Sequence, residues 1–220
     1  MKLQKAFLAS GMISSITLIS EDLLGIVLWR GYNPIKSYMS ELFADGAPPA
    51  LLTRTLLYIS QICLVIFLIT VCVKIIKFYG MSIKIGYIGL LFTASSSILG
   101  YGLFPMTLNN IISIKNLIHF IITVSIVIAT MILFFFLAFG YKRENRGFSI
   151  VFAVLFLFFN LLHLYAILKG INILGLLERA SFYTFEIYIF VISFFYVFKT
   201  DRGNTEQNQD HSNLFVTKDT

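Results

Sequence analysis

Charge is scarce in this 220-residue chain: only 13% of it is Asp, Glu, Lys or Arg, against 58% hydrophobic residues. With 23 phenylalanines and a mean hydropathy of +0.85, the chain has too few polar groups to cover a water-soluble surface. That excludes a soluble domain and implies a polytopic membrane protein. Cysteine is nearly absent too. Cys63 and Cys72 lie nine apart in one apolar run, too far along a helix to be bridged, and read as small apolar fillers. Familiar catalytic signatures are missing: there is no Walker loop, dinucleotide fingerprint, kinase element, paired CxxC or G-x-S-x-G, so ATP-driven chemistry on this chain is not expected. The net charge of +6 sits on Lys and Arg in short loops between apolar runs, which leaves no basic stripe for nucleic acid. Internal repeats and the paired Gly/Pro-broken helices of many transporters are absent as well.

What is there is six apolar runs, at 6–29, 55–78, 83–104, 116–139, 149–168 and 182–198. Each approaches the roughly 20 residues that a hydrocarbon layer about 30 Å thick requires. The fold class expected is therefore all-α, a bundle of six transmembrane helices, with a disordered tail over 200–220 that lacks apolar periodicity. Lys2 and Lys5 before the first run resemble the start of a signal peptide, but no A-x-A site follows, so the run is read as a retained helix. Lys and Arg number eleven on the side of the termini and six on the other, which predicts cytoplasmic N- and C-termini.

With that orientation Glu21, Asp22, Gln61, His119, Asn160, His163 and Glu186 all fall in the outer half of the bilayer. A polar group in hydrocarbon must find a protein partner or line a wet cavity, so this one-sided layer is the candidate site. The eleven Leu, Ile, Val and Phe of the first run are worth roughly −5 kcal/mol on an insertion scale, and two central acids cost about +5 to +7. The balance is near zero, so the acids need partners in the bundle. Ser10, Ser14, Thr17 and Glu21 share one helical stripe and predict a polar seam facing inward, with Asp22 turned about 100° away. Arg179, just before the sixth run, is expected to reach back and neutralise one of these acids, with Glu178 facing water or capping the helix.

The first outer loop, from Gly31 to Phe43, carries Asn33 as a candidate N-cap and Pro34 at a first helical position. Ile35, Tyr38, Met39 and Leu42 then form an apolar stripe opposite Lys36, Ser37, Ser40 and Glu41, which predicts a short interfacial helix ended by Gly46 and Pro48-Pro49. Its two readings are a lid over the polar layer and a helix that only seals the bundle.

The same loop carries a resemblance. Pro34 followed by Tyr38-Met39-Ser40-Glu41-Leu42 is similar to the P…Y-[IM]-S-[DE]-L motif of six-span prokaryotic membrane proteins catalogued as domain of unknown function 998. Gly102-Leu103-Phe104-Pro105 with His119 resembles that family's G-x-F-P…H block, and Gly175-Leu176-Leu177-Glu178-Arg179 its G-[LI]-x-[EQ]-R element. Phe43 stands where the family commonly has Gly. The resemblance implies a six-helix domain in a prokaryotic plasma membrane and no established activity.

Three readings stay open. In the preferred one, Glu21, Asp22, Ser40, Glu41, His119, Asn160, His163, Arg179 and Glu186 are candidates for a pocket that recognises a small polar or lipid-headgroup ligand. A second is an intramembrane hydrolase or transferase in which His119 or His163 serves as base for Ser40 or joins the acids around a metal. No H-E-x-x-H or similar local motif supports that one, so no catalytic residue is assigned and no metal or cofactor is expected. The third is an accessory subunit whose aromatic flanks meet another membrane protein; the bland alternative to a catalytic role for the histidines is interhelical hydrogen-bond glue. The lipid bilayer itself is the partner common to all three.

Overall fold

A computed structural model describes the backbone of residues 2–75, 79–108, 112–141 and 143–216, and the side chains of these except at 2, 143–146 and 199–216. The elements are α1 (Lys2–Leu28), α2 (Ala50–Ile75), α3 (Met81–Leu103), α4 (Ile114–Gly140), α5 (Arg143–Lys169) and α6 (Leu174–Val216), with one 3-10 turn at Met39–Glu41. All six helices contain a stretch long and apolar enough to span a bilayer. Their ends match the expected runs to within six residues except at α6, which begins at Leu174 rather than 182 and runs to Val216 rather than 198. Glu178 and Arg179 therefore lie inside the helix and not before it. Both side chains find partners inside the bundle. Over 200–216, where a disordered tail is expected, the backbone continues in α6, and 217–220 lie outside the described residues.

Each helix packs on its neighbours in sequence and α1 closes against α6, so the bundle is a ring around an axis. Lipid is as apolar as leucine, so helices in it associate through close packing and hydrogen bonds rather than through the hydrophobic effect. Both appear along the seams. Gly86 and Gly89 on α3 let α4 approach so closely that a Cβ at either would run into Leu137 or Leu133. Ser193 of α6 donates to Leu8 O (2.6 Å) and accepts from Met12 N (3.1 Å) on α1. Ser60 of α2 donates to Ser14 O (2.9 Å).

At the end away from the first loop the axis is filled. Phe134, Phe156, Phe148 and Tyr188 interlock there, with Phe134 set edge-on to Tyr188 at 4.9 Å between ring centres. Tyr87 and Tyr141 share a hydrogen bond of 2.5 Å between their hydroxyls.

The interfacial helix expected over Pro34–Leu42 is not present. Asn33 does start a turn, its Oδ1 accepting from the N–H of Ile35 (3.0 Å) and Lys36 (3.3 Å), but the turn ends at Ser37, and only Met39–Glu41 coil again. An isolated helix this short is marginal, and here its backbone groups are taken by other partners. Ile35 O accepts from Leu176 N, Pro34 O and Ser37 O accept from Arg179, and Met39 N donates to Glu178. The loop instead folds into the mouth of the ring, burying Met39, Leu42, Phe43 and Ala44, and Gly46 takes φ +93° where the chain turns back toward α2.

Candidate functional site

Two constructions occupy the first-loop end. The first is a latch. Arg179, buried on α6, sets Nε 3.0 Å from both carboxylate oxygens of Asp22 on α1 and Nη2 2.9 Å from Oδ1. Nη2 also donates to the Tyr32 hydroxyl (2.5 Å), and Nη1 to the carbonyls of Pro34 (2.8 Å), Ser37 (3.0 Å) and Gly175 (3.2 Å). All five guanidinium N–H groups thus have acceptors, the fork geometry that makes Arg rather than Lys fit such a site. Tyr183 completes Asp22 by donating to Oδ2 at 2.5 Å. Tyr32 passes its own proton to Tyr38 O (2.7 Å); burial pushes its hydroxyl well above the ordinary range, so it remains a donor. A second clamp joins Arg54 of α2 to Asp45 (2.5 Å) and Phe43 O (2.6 Å). Asp45 also pairs its backbone with Met106 and Leu108 of the third loop.

The second construction is a cavity of about 120 Å³ on the ring axis, beneath the first loop, with walls contributed by all six helices. An engineered apolar cavity of about 150 Å³ admits a benzene-sized guest, so this space suits several waters or a small polar fragment. Its wall is mostly apolar, interrupted by Gln61, His119, Glu178 and Glu186 together with Ser and Thr hydroxyls. Gln61 Oε1 and Glu186 Oε2 are buried with no hydrogen-bond partner among the described residues. Buried polar atoms are almost always paired, and the exceptions call for an explanation.

The remaining groups are one-sided in their chemistry. His119 Nδ1 lies 2.9 Å from Phe104 O, and because a carbonyl only accepts, Nδ1 carries the proton and the neutral ring keeps Nε2 as an acceptor. Thr93, Ser97 and Thr123 give their protons to the backbone oxygens of Leu90, Ala94 and His119 in their own helices. Toward the cavity they present lone pairs. Glu178 accepts from Met39 N at 2.5 Å and offers further carboxylate lone pairs. No Lys or Arg lines the space. The wall therefore presents many acceptors and no cationic donor.

Of the residues expected to form the pocket, the structure brings Ser40, His119 and Glu186 to the cavity wall. Asp22 and Arg179 are committed to each other in the latch. Glu41 caps its own turn, its Oε1 accepting from Tyr38 N (3.0 Å). Asn160 ties α5 to α6 through Ser181 Oγ (2.6 Å). His163 stacks on Tyr38 at 6.0 Å and does not line the cavity, so the two histidines occupy different surroundings. Glu21 is buried on α1 with neither oxygen partnered, and it lies outside the cavity wall. Ser40 donates to Met106 Sδ (3.5 Å) rather than to a histidine. No group of three or more His, Cys, Asp or Glu suited to a metal occurs among the described residues.

Glu178 is the clearest correction: expected to face water or cap the helix, it turns into the bundle and holds the loop. Thr93, Ser97, Thr123 and Thr130 were not singled out from sequence. Their signal is helical spacing, since His119, Thr123 and Thr130 share one face of α4 while Thr93 and Ser97 lie four apart on α3.

No curated protein and no solved structure matches the chain. A family model described as "Protein of unknown function (DUF998)" matches residues 12–194, a stretch that contains the latch, the cavity wall and the loop between them. The chain belongs to the DUF998 family of membrane proteins.

Proposed function

We propose that this protein recognises a small polar ligand or lipid headgroup that donates hydrogen bonds, held in the axial cavity beneath the first loop. The observation that carries this reading is the pair of buried, unpartnered acceptors, Gln61 Oε1 and Glu186 Oε2, in a wall that holds no Lys or Arg. Leaving a polar atom unpaired costs about 1–3 kcal/mol, and a ligand hydroxyl or amine recovers it. By the distribution of Lys and Arg this end of the bundle faces outward, and the first loop lies over the site as a latched cover. The hydrolase alternative draws no support from Ser40, whose hydroxyl is directed at a methionine sulfur.

The test is thermal unfolding of the purified protein with amphiphiles of one chain length and different heads. Octylamine and octanediol carry donors, whereas octyltrimethylammonium carries none. The first two should stabilise the fold, by about 2.7 kcal/mol at a hundredfold excess over Kd, and Gln61→Leu should remove most of that gain. Equal shifts with all three amphiphiles, or shifts indifferent to Gln61→Leu, would overturn the reading.

A further inference from the structure

The cavity has few ways in. Loop 1 covers one end of the axis and the Phe134–Tyr188 cluster fills the other, so access runs between helices. Four of the six seams carry hydrogen bonds in the first-loop half, and a fifth is closely packed there. Ser14 and Ser60 join α1 to α2. A Cβ on Gly102 of α3 would touch the Tyr58 hydroxyl of α2. Tyr101–Thr123 and His119–Phe104 O join α3 to α4. Asn160–Ser181 joins α5 to α6, and the latch joins α6 to α1.

The α4–α5 seam differs. Between His119 and Thr130 the described residues of α4 make no hydrogen bond and no ring contact to α5, and the pair Phe134–Phe156 (5.3 Å) lies below, toward the filled end. No residue from 120 to 129 is fully buried, yet Thr123, Ile126 and Val127 line the cavity. From α5 only Phe156 reaches the wall. The spans of α4 and α5 are also the least buried, at 22% and 17% against 39–44% for the other four. These residues sit midway along α4, so a passage through this seam would open at hydrocarbon depth rather than at a headgroup layer.

A ligand reaching the cavity by that route arrives from the bilayer. Its chemistry is restricted by the wall, because a phosphate entering it would meet Glu178 and Glu186 with no Lys or Arg to neutralise it. Arg179, which follows Glu178 in α6, has its donors fully engaged in the latch. We infer that the occupant is a phosphate-free long-chain lipid, its hydroxyl or amine head among the acceptors of the cavity and its chain leaving between α4 and α5 into the hydrocarbon. This rests on the cavity being a recognition site and adds the class of ligand and its path.

The experiment uses full-length protein reconstituted into phosphatidylcholine vesicles containing diacylglycerol, hexadecylamine or phosphatidic acid, re-extracted and analysed by mass spectrometry for retained lipid. Wild type should retain diacylglycerol or hexadecylamine and exclude phosphatidic acid. Val127→Trp, which blocks the seam, should reduce retention about tenfold, the equivalent of 1.4 kcal/mol. Its thermal unfolding without ligand should match that of wild type, which shows that the variant is folded. Ile126→Phe should reproduce the loss with a smaller plug, and Ile128→Trp, on the exposed face of the same turn, should not. If both seam variants load normally while Gln61→Leu does not, lateral entry is overturned and the recognition site stands. If Gln61→Leu also loads normally, both fall. Preferential retention of phosphatidic acid would overturn the lipid class alone.

Discussion

Phe134 and Arg179 lie near opposite ends of the same ring, and each organises its half by different physics. Around Phe134 the axis is closed by interlocked rings, and the helices approach through Gly86 and Gly89. Around Arg179 the axis is open, and the helices are held by charge-assisted hydrogen bonds that also bind the first loop. Within lipid an apolar side chain gains little by turning inward, so the filled half depends on tight contact alone. The latched half depends on polar groups whose alternative, an unpaired charge in the bundle, is much worse. One half is built to be packed; the other is built to leave a space and keep it covered.

Removing the latch should have the largest effect. Arg179→Ala strands Asp22 and frees the carbonyls of Pro34 and Ser37, and breaking a buried pair costs about 3–5 kcal/mol. Folded yield and thermal stability should drop sharply, while Lys169→Ala, at an exposed site beyond the α5 core, should change neither. Similar behaviour of the two variants would show that the polar half is not held as described.

Phe134→Ala strikes the packed half. In a soluble core such a deletion costs about 3–5 kcal/mol, much of it the transfer of the ring from water. Unfolded helices in a bilayer keep the ring in lipid, so the cavity term remains and the loss should fall below that range. Denaturation in bicelles or detergent would measure it. A loss as large as that of Arg179→Ala would erase the contrast between the halves.

Gly175→Ala should come next, about 1–3 kcal/mol. A Cβ there meets the backbone oxygens of Ser37 and Pro34, which cannot yield as a side-chain end can. The consequence should be local: cysteine labelling at Ser37 should become faster while the aromatic half keeps its stability. Unchanged labelling would mean that loop 1 does not depend on this close approach.

The sequence displays the two halves unequally. Six spans and the one-sided layer follow from hydropathy and from counting Lys and Arg, because bilayer thickness imposes helix length and leaves little choice of secondary structure. That Arg179 would seek an acid was also legible, from the cost of Glu21 and Asp22 in α1. Which acid it chose was not, since Glu21 and Asp22 differ only by 100° around the helix, and the choice depends on where α6 sits. The same gap in knowledge explains the first loop. Its amphipathic stripe is real, with Met39 and Leu42 buried, but a stripe cannot reveal that Arg179, Glu178 and Leu176 would claim its backbone. Histidines 119 and 163 looked alike in sequence because periodicity gives the depth of a residue and not the seam it faces.

The smallest expected effect has the opposite sign. Gln61 is buried, and its Oε1 lacks a partner. In the absence of ligand that atom is a liability, costing up to about 1–3 kcal/mol, offset in part by any water in the cavity. Gln61→Leu keeps a similar volume and removes the unpaired acceptor, so the ligand-free protein should gain stability, by about 1 kcal/mol or less, as happens when a functional polar group is replaced. The same change in the packed half has no counterpart, because none of the buried, unpartnered side-chain atoms lies among its rings. Thermal unfolding of delipidated wild type and Gln61→Leu decides the matter. A loss of stability in the variant would mean that Gln61 holds helices together, and the open half would then be a second kind of packing rather than a space kept for a ligand.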